Sequence, residues 1–399
     1  MSGLRILYVT PYVPSPIRVR PYNLIKALAA RGHRLRVLAL ATTPQEREDA
    51  ARLRALGLVV ETAPHGLQRA LAGAARGALA GWPLQAACTR SPALLDALGQ
   101  ALAGDAVDLV HVEHLRGACY GSRCSDRPAV WDAVDCISLL LERARALAPG
   151  WKWRLAARLE LARTRRYEAR AAAGYARVLV SSPEDRGALC ALGAPAERLV
   201  VLTNGVDLEY FRPQDGTREP DSVVFTGKMS YHANVAACID LATQVMPRLW
   251  RERPGVRLRI VGQDPPPAVR RLARDGRVVV TGGVSDLRPY LARASVAVCP
   301  LRYGVGVQNK VLEAMAMGTP VVASPQACRA LSAEAGEHLL VGGDAEALAR
   351  HVQGLLESPV LAAALGQAGR RYVVAHHDWR AVAARLESIY EEVMARWPA

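Results

Sequence analysis

Apolar residues recur along this chain in short unbroken runs separated by longer amphipathic stretches. LRILYVT (4–10), LRVLAL (35–40), VDLVHVE (107–113), PAVWDAV (128–134) and RVLVSS (177–182) predict five strands, with helical stretches such as RPYNLIKALAARGH (20–33) between them. Gly32 stands where that helix is expected to stop. Runs of Val, Leu and Ile without polar alternation predict parallel strands covered on both faces. The rhythm then restarts: SVVFTGK (222–228), VRLRIVG (256–262), RVVVTGG (277–283), VAVCPL (296–301) and PVVAS (320–324) predict a second series. Between the two series lies the polar connector NGVDLEYFRPQDGTREPDS (204–222).

Two doubly wound Rossmann-like domains are therefore expected, 1–204 and 205–378, followed by a terminal helix (379–399) packing back toward the first. Ligands of such sheets gather outside the carboxyl ends of the strands, and the active cleft is expected to lie between the domains. With 399 residues and 51% hydrophobic content, each domain has enough material for its own core. The formal net charge of +14 favours an anionic partner such as a nucleotide phosphate, a lipid phosphate or nucleic acid. Eight cysteines carry no metal-ligand spacing and read as reduced, buried side chains, and the amino-terminal run lacks the features of a signal peptide. A cytoplasmic location, with side-on contact to the inner face of the membrane left open, is the expectation.

Candidate chemistry concentrates at the strand ends of the second series. Thr226, Gly227 and Lys228 follow its first strand, Gly262 the second, Gly282 and Gly283 the third, and the loop from Gly304 to Lys310 the fourth. Glycines there admit an anion to the backbone, the helix opening near Asn309 offers its positive end, and Lys228 and Lys310 add full charges. Two better-known phosphate motifs do not fit. GVGVQN has Asn309 where a dinucleotide fingerprint needs its third glycine, and FTGKMS has Met229 where a P-loop needs Ser or Thr. Glu313 interrupts an otherwise apolar run, one helical turn beyond Lys310 and on the same face. Two readings stay open: a carboxylate that accepts the two hydroxyls of a ribose while Lys310 takes the diphosphate, or a local Lys310–Glu313 ion pair.

GVGVQNKVLEAMAMGTPVVAS (304–324), VVFTGKMSYHANVAACIDL (223–241), VVLTNGVDLEYFRP (200–213) and VDLVHVEHLRGACY (107–120) together resemble the family 4 glycosyltransferases, retaining enzymes of the GT-B fold. Within that family the chain is most similar to the sugar transferases associated with exopolysaccharide and PEP-CTERM systems. The resemblance implies metal-independent transfer of a sugar from a nucleotide-diphosphate donor to a glycan, lipid-linked or small-molecule acceptor, with no cofactor beyond that co-substrate and no nucleic-acid partner. It places the donor diphosphate against Gly227, Lys228 and Lys310, the ribose on Glu313, and the base on the backbone at Gly283 and Val284. Members often carry a second glutamate eight positions before Glu313; here that position is Val305, and backbone amides of Gly304, Val305, Gly306 and Val307 are expected to take over its contacts.

Arg18 and Arg20 lie in PSPIRVRPYNL (14–24), where an anionic acceptor, the donor phosphates and a solvated loop stay open as readings, while His111 and His114 flank Glu113 at a strand end. His114 is the candidate for acceptor contact. Asp132, near where relatives place a histidine beside the donor sugar, is expected to be the polar residue nearest the reacting centre. The basic stretch 151–177, with eight basic and two acidic side chains, and the stretch 70–88 are candidates for an anionic membrane surface. A nucleotide-sugar epimerase of the same fold and a scaffold that binds the donor without transferring it are the competing readings.

Overall fold

A computed structural model describes residues 3–104, 107–148, 151–216 and 218–397. The chain forms two compact units. The first comprises Met1–Glu142, Ala156–Thr203 and Trp379–Ala399, and the second Arg143–Leu155 and Asn204–Asp378. The short segment 143–155 thus belongs with the second unit although it precedes the connector.

The first unit holds a seven-stranded parallel sheet: β1 (Arg5–Thr10), β2 (Arg34–Ala41), β3 (Val59–Pro64), β4 (Leu109–Glu113), β5 (Ala129–Val134), β6 (Arg177–Val180) and β7 (Leu199–Val201), in the order β3-β2-β1-β4-β5-β6-β7. Each strand sends alternate side chains to opposite faces. In β1, Leu7 and Val9 enter one core, whereas Ile6 and Tyr8 enter the other. That is why the strand is apolar at consecutive positions. The helix Val19–Ala30 is followed by Gly32 at φ 91°, a conformation that a side chain disfavours. The helix Trp379–Arg396 closes one face of this sheet: Trp379, Val382, Leu386, Ile389, Tyr390 and Val393 pack with Ile6, Leu24, Leu28 and Val37.

The second unit holds a six-stranded parallel sheet: β8 (Ser222–Thr226), β9 (Arg257–Val261), β10 (Val278–Gly282), β11 (Val296–Cys299), β12 (Val321–Ala323) and β13 (Leu340–Val341), ordered β10-β9-β8-β11-β12-β13. Both sheets therefore reverse direction beside their first strand, at β1/β4 and at β8/β11. In open parallel sheets these reversals create the crevices that take ligands.

Three strands escaped the sequence reading: β3, β7 and β13. All three are sheet edges, and only Val60 and Ala63 of β3 are buried. All eight cysteines are free, and no helix among the described residues is long and apolar enough to cross a membrane.

The dependence of the first core on the last helix is testable. Leu386 is fully buried, so Leu386→Ala is expected to lower the stability of the first unit by about 2–5 kcal/mol, measured by denaturant unfolding. A loss below about 0.5 kcal/mol would contradict the packing.

Candidate active site

In the second unit the strand ends meet through backbone. A Cβ on Gly262 would lie 1.8 Å from the carbonyl oxygen of Gly227, and one on Gly227 would lie 2.8 Å from Asn234 Nδ2 and 3.2 Å from Lys310 Cε. Glycine at both positions lets β8 and β9 end side by side and lets Lys310 reach the same point. The lysine is carried by the helix Asn309–Ala316, which follows β11 and so enters at the β8/β11 reversal.

No side chain caps the amino end of that helix and no acidic residue lies in its first turn. Its unpaired amides and dipole favour an anion. The Lys310 ammonium donates to Gln308 Oε1 at 3.1 Å, and Gln308 Nε2 in turn donates to the Val305 carbonyl. Lys310 is thereby oriented by a neutral amide, with no carboxylate bound to it among the described residues. Glu313, half-buried on the same helix, has no hydrogen-bond or ion-pair partner for its carboxylate among the described residues. Burial raises its pKa to about 7, with the charge of Lys310 acting in the opposite direction. The local Lys310–Glu313 ion pair left open by the sequence is therefore not formed. What remains is a cation, an open helix end and an acid with unused acceptor capacity, all on one short helix.

The neighbouring strand ends complete the row. Lys228 is exposed just beyond β8, Gly283 is exposed beyond β10 with Val284 half-buried beside it, and Gln263 Cγ is the nearest neighbour of a Cβ built on Gly283, at 3.1 Å. The Gly304 carbonyl accepts from Gln326 Nε2 at 3.2 Å and from the Arg143 guanidinium, which anchors the loop. Gly306 adopts φ 64°, while Val305 and Val307 are buried, so this loop presents backbone where many relatives carry a glutamate side chain. Asn309 Oδ1 accepts from Asn204 Nδ2 at 3.1 Å.

Asn234 escaped the sequence reading. It is 4% exposed, donates to the Lys228 carbonyl at 2.8 Å and leaves its own Oδ1 buried without a partner. Its only sequence signal is an asparagine in the first turn of a helix that follows a strand-end Gly-Lys.

In the first unit the residues at the β1/β4 reversal are largely enclosed. Tyr12 donates to Glu113 Oε1 at 2.9 Å, and the Arg18 guanidinium lies 4.3 Å over the Tyr12 ring. Glu113 is buried, and burial, reinforced by Asp132, raises its pKa to about 8. His114 adopts φ 64° at the end of β4, and burial together with Arg116 and Arg18 depresses its pKa to about 3. His111 stacks on Tyr8 with ring centroids 4.3 Å apart and bonds to the Tyr390 hydroxyl at 2.7 Å.

Arg20 and Asp132 require a correction. The sequence argument offered Arg20 to an anionic ligand and Asp132 to the reacting centre, but the two form a buried ion pair, Arg20 Nε to Asp132 Oδ2 at 2.7 Å, with side chains 4% and 0% exposed. Arg20 also donates to the Leu202 and Thr203 carbonyls. Each charge is spent on the other, so their role in this structure is to hold β5 and the start of the Val19–Ala30 helix in place. Arg18 and His114 remain half-exposed. Tyr12 and Glu113 join them, a grouping that the sequence could not show because its partners lie 101 residues apart.

Comparison with known proteins agrees with this geometry. Residues 18–210 match the family described as Glycosyltransferase Family 4, and residues 220–358 match the family described as Glycosyl transferases group 1. The chain belongs to the family 4-like glycosyltransferases of GT-B fold. It is 32% identical over 227 residues to the MMP alpha-(1->4)-mannosyltransferase of Mycolicibacterium hassiacum, a stretch that is 54% of this chain and 54% of that protein. The chain thus matches about half the length of that curated relative. Sucrose-phosphate synthase from Thermosynechococcus elongatus superposes with a TM-score of 0.73 at 19% identity, over 98% of this chain and 100% of that one. Anabaena Alr3699/HepE, solved in complex with UDP and glucose, gives 0.69 at 16% identity, over 97% and 100%.

Two expectations follow from the buried charges. Arg20→Ala leaves Asp132 buried and unpaired, and is expected to cost about 3–5 kcal/mol in denaturant unfolding, with Asp132→Asn in the same chain restoring part of the loss. Glu313 has a folded pKa of about 7 against an ordinary 4.5, so the folded state holds the extra proton between those values and stability falls as pH rises through them. Glu313→Gln is therefore expected to melt with the wild type near pH 4 and above it at pH 8; a constant difference across that range would contradict the desolvated site.

Proposed function

We propose that this protein moves a sugar from a nucleotide-diphosphate donor to a glycan, lipid-linked or small-molecule acceptor, with retention at the anomeric carbon. The observation that carries the reading is the helix Asn309–Ala316, which joins an uncapped amino end, Lys310 on a neutral tether and the unpartnered Glu313 at the β8/β11 reversal. A diphosphate matches the first two, and the adjacent ribose hydroxyls match the carboxylate. Gly283 and Val284 leave room for the base. The UDP and glucose bound to Alr3699/HepE, a protein of the same fold, are in keeping with such a donor.

The chemistry follows from the leaving group. As the bond between the anomeric carbon and the diphosphate oxygen lengthens, the carbon gains cationic character and negative charge collects on the phosphate. Lys310, Lys228 and the helix end stabilise that charge, which is greater in the transition state than in the bound donor. The acceptor hydroxyl attacks from the face the diphosphate leaves, its oxygen bonds to the anomeric carbon, and its proton passes to the departing phosphate oxygen. No enzymic nucleophile is needed.

Asp132 takes part by position: paired with Arg20, it fixes the β5 end. Arg18 and His114 are the acceptor-side candidates of the first unit. A role in exopolysaccharide or cell-envelope glycan assembly, as a peripheral protein on the inner face of the cytoplasmic membrane, fits the resemblance and the basic surface.

The test begins with a thermal-shift screen of nucleoside diphosphates and their sugars, followed by transfer assays with the strongest binder. Lys310→Ala is expected to lower turnover by about 10²–10³-fold with an unchanged melting temperature in the absence of donor. Turnover equal to wild type would overturn the assignment, and conversion of the donor to a new nucleotide sugar without acceptor would indicate an epimerase.

A further inference from the structure

The helix Leu67–Leu79 of the first unit is built inside out. Its single buried residue is Gly77, whereas Leu67, Leu71 and Leu79 are 76%, 61% and 92% exposed. At 100° per residue the three leucines fall within an arc of about 120°. Gly73 and Gly77 lie on another side, pressed against the helix Leu84–Thr89: a Cβ on Gly73 would meet the Ala87 carbonyl at 2.4 Å, and one on Gly77 would meet Ala87 Cβ at 2.2 Å. The small residues thus face the protein and the large apolar ones face outward. Leu84, 50% exposed, extends the patch. A contiguous apolar surface of this kind on a soluble unit marks a contact.

Beside the patch are two cavities that share Trp82 as a wall. One, of about 360 Å³, runs between Trp82, Tyr167, Tyr175 and Ala171 and opens past Arg166 and Arg170. The other, of about 250 Å³, opens past Arg76 and Arg90. The larger falls within the roughly 300–1,000 Å³ of small-molecule sites. Arg90 lies 5.6 Å over the Trp82 ring, and none of these four arginines has a carboxylate partner among the described residues. The cavity walls also hold the Tyr167 hydroxyl beside the Cys119 thiol.

We propose that this face docks on an anionic bilayer, with the leucines of the Leu67–Leu79 helix in the acyl layer, the arginines on lipid phosphates, and one lipid chain entering the cavity beside Trp82. The inference deepens the peripheral-membrane part of the reading above and is independent of the donor site. Charge selects the occupant. A second copy of the chain would set arginine against arginine, whereas a phosphate-rich surface supplies the charge that these side chains lack and an apolar layer for the leucines.

Flotation of the full chain with phosphatidylcholine vesicles, with and without phosphatidylglycerol, tests the docking. Binding is expected only with phosphatidylglycerol and should weaken as salt rises. Replacing Arg166 and Arg170 by Ser should weaken it roughly fivefold each, and Leu71→Glu with Leu79→Glu should abolish it. All four positions are on the outer surface, so these variants should keep the wild-type melting temperature and its response to nucleoside diphosphates. Calorimetry with a short-chain phosphatidic acid below its micelle concentration tests the cavity: binding is expected in the wild type and absent in Ala80→Trp, which fills the shared wall. Equal binding to both vesicles, no vesicle binding, or unaltered binding by the leucine variant would overturn the docking; lipid binding that survives Ala80→Trp would overturn the cavity. Because the nucleotide response is read separately, loss of one reading leaves the other standing.

Discussion

The contact between Gly227 and Gly262 is the constraint on which the second unit's site depends. The Gly227 carbonyl occupies the volume that a side chain on Gly262 would need, and a side chain on Gly227 would run into Asn234 and Lys310. That approach closes the carboxyl edge of β8 and β9 and leaves Lys310 and Asn234 as the side chains against the turn. The lysine then needs a partner that fixes its direction without cancelling its charge. The Gln308 amide provides one, because a neutral acceptor orients an ammonium but leaves its field intact.

The two units treat charge in opposite ways at equivalent points of their sheets. At the β8/β11 reversal, Lys228 and Lys310 have no carboxylate partner among the described residues and no side chain caps the helix end, which favours a positive local potential. At the β1/β4 reversal the acids and bases are largely enclosed. Arg20 and Asp132 pair, burial raises the Glu113 pKa to about 8, and His111 and His114 are pushed by burial to about 4 and 3. Arg18, over Tyr12, and Arg116 are half-exposed cations of that cluster. One sheet ends in exposed positive charge, and the other in a largely enclosed hydrogen-bonded cluster.

How much of this was legible depended on distance along the chain. The central strands announced themselves because a strand covered on both faces must be apolar at every position; β3 did not, being partly exposed with Glu61 and Thr62 inside it, and β7 and β13 are only three and two residues long. Lys310 and Glu313 were legible as a pair because helical spacing alone puts them on one face. The Arg20–Asp132 pair was not, since its members are 112 residues apart and only the β1-β4-β5 pairing brings them together. The same holds for the Gly227–Gly262 contact: each glycine was visible, but that one fills the space beside the other is a property of the folded sheet. The stretch 70–88 was offered as a membrane-surface candidate, but that Gly73 and Gly77 of its helix turn inward against Ala87 is visible only in the fold.

The terminal helix Trp379–Arg396 has a consequence for biosynthesis. It supplies Trp379, Leu386, Ile389 and Tyr390 to a core whose other members end at Leu202, and all of the second unit except 143–155 is encoded in between. On a ribosome adding roughly 5–20 residues per second, the amino-terminal sheet therefore waits on the order of 10–35 s for its missing layer. During that interval Ile6, Tyr8 and Val37 lack their cover while the second unit is itself still being made. The core of the first unit closes only after the residues of the second have been added.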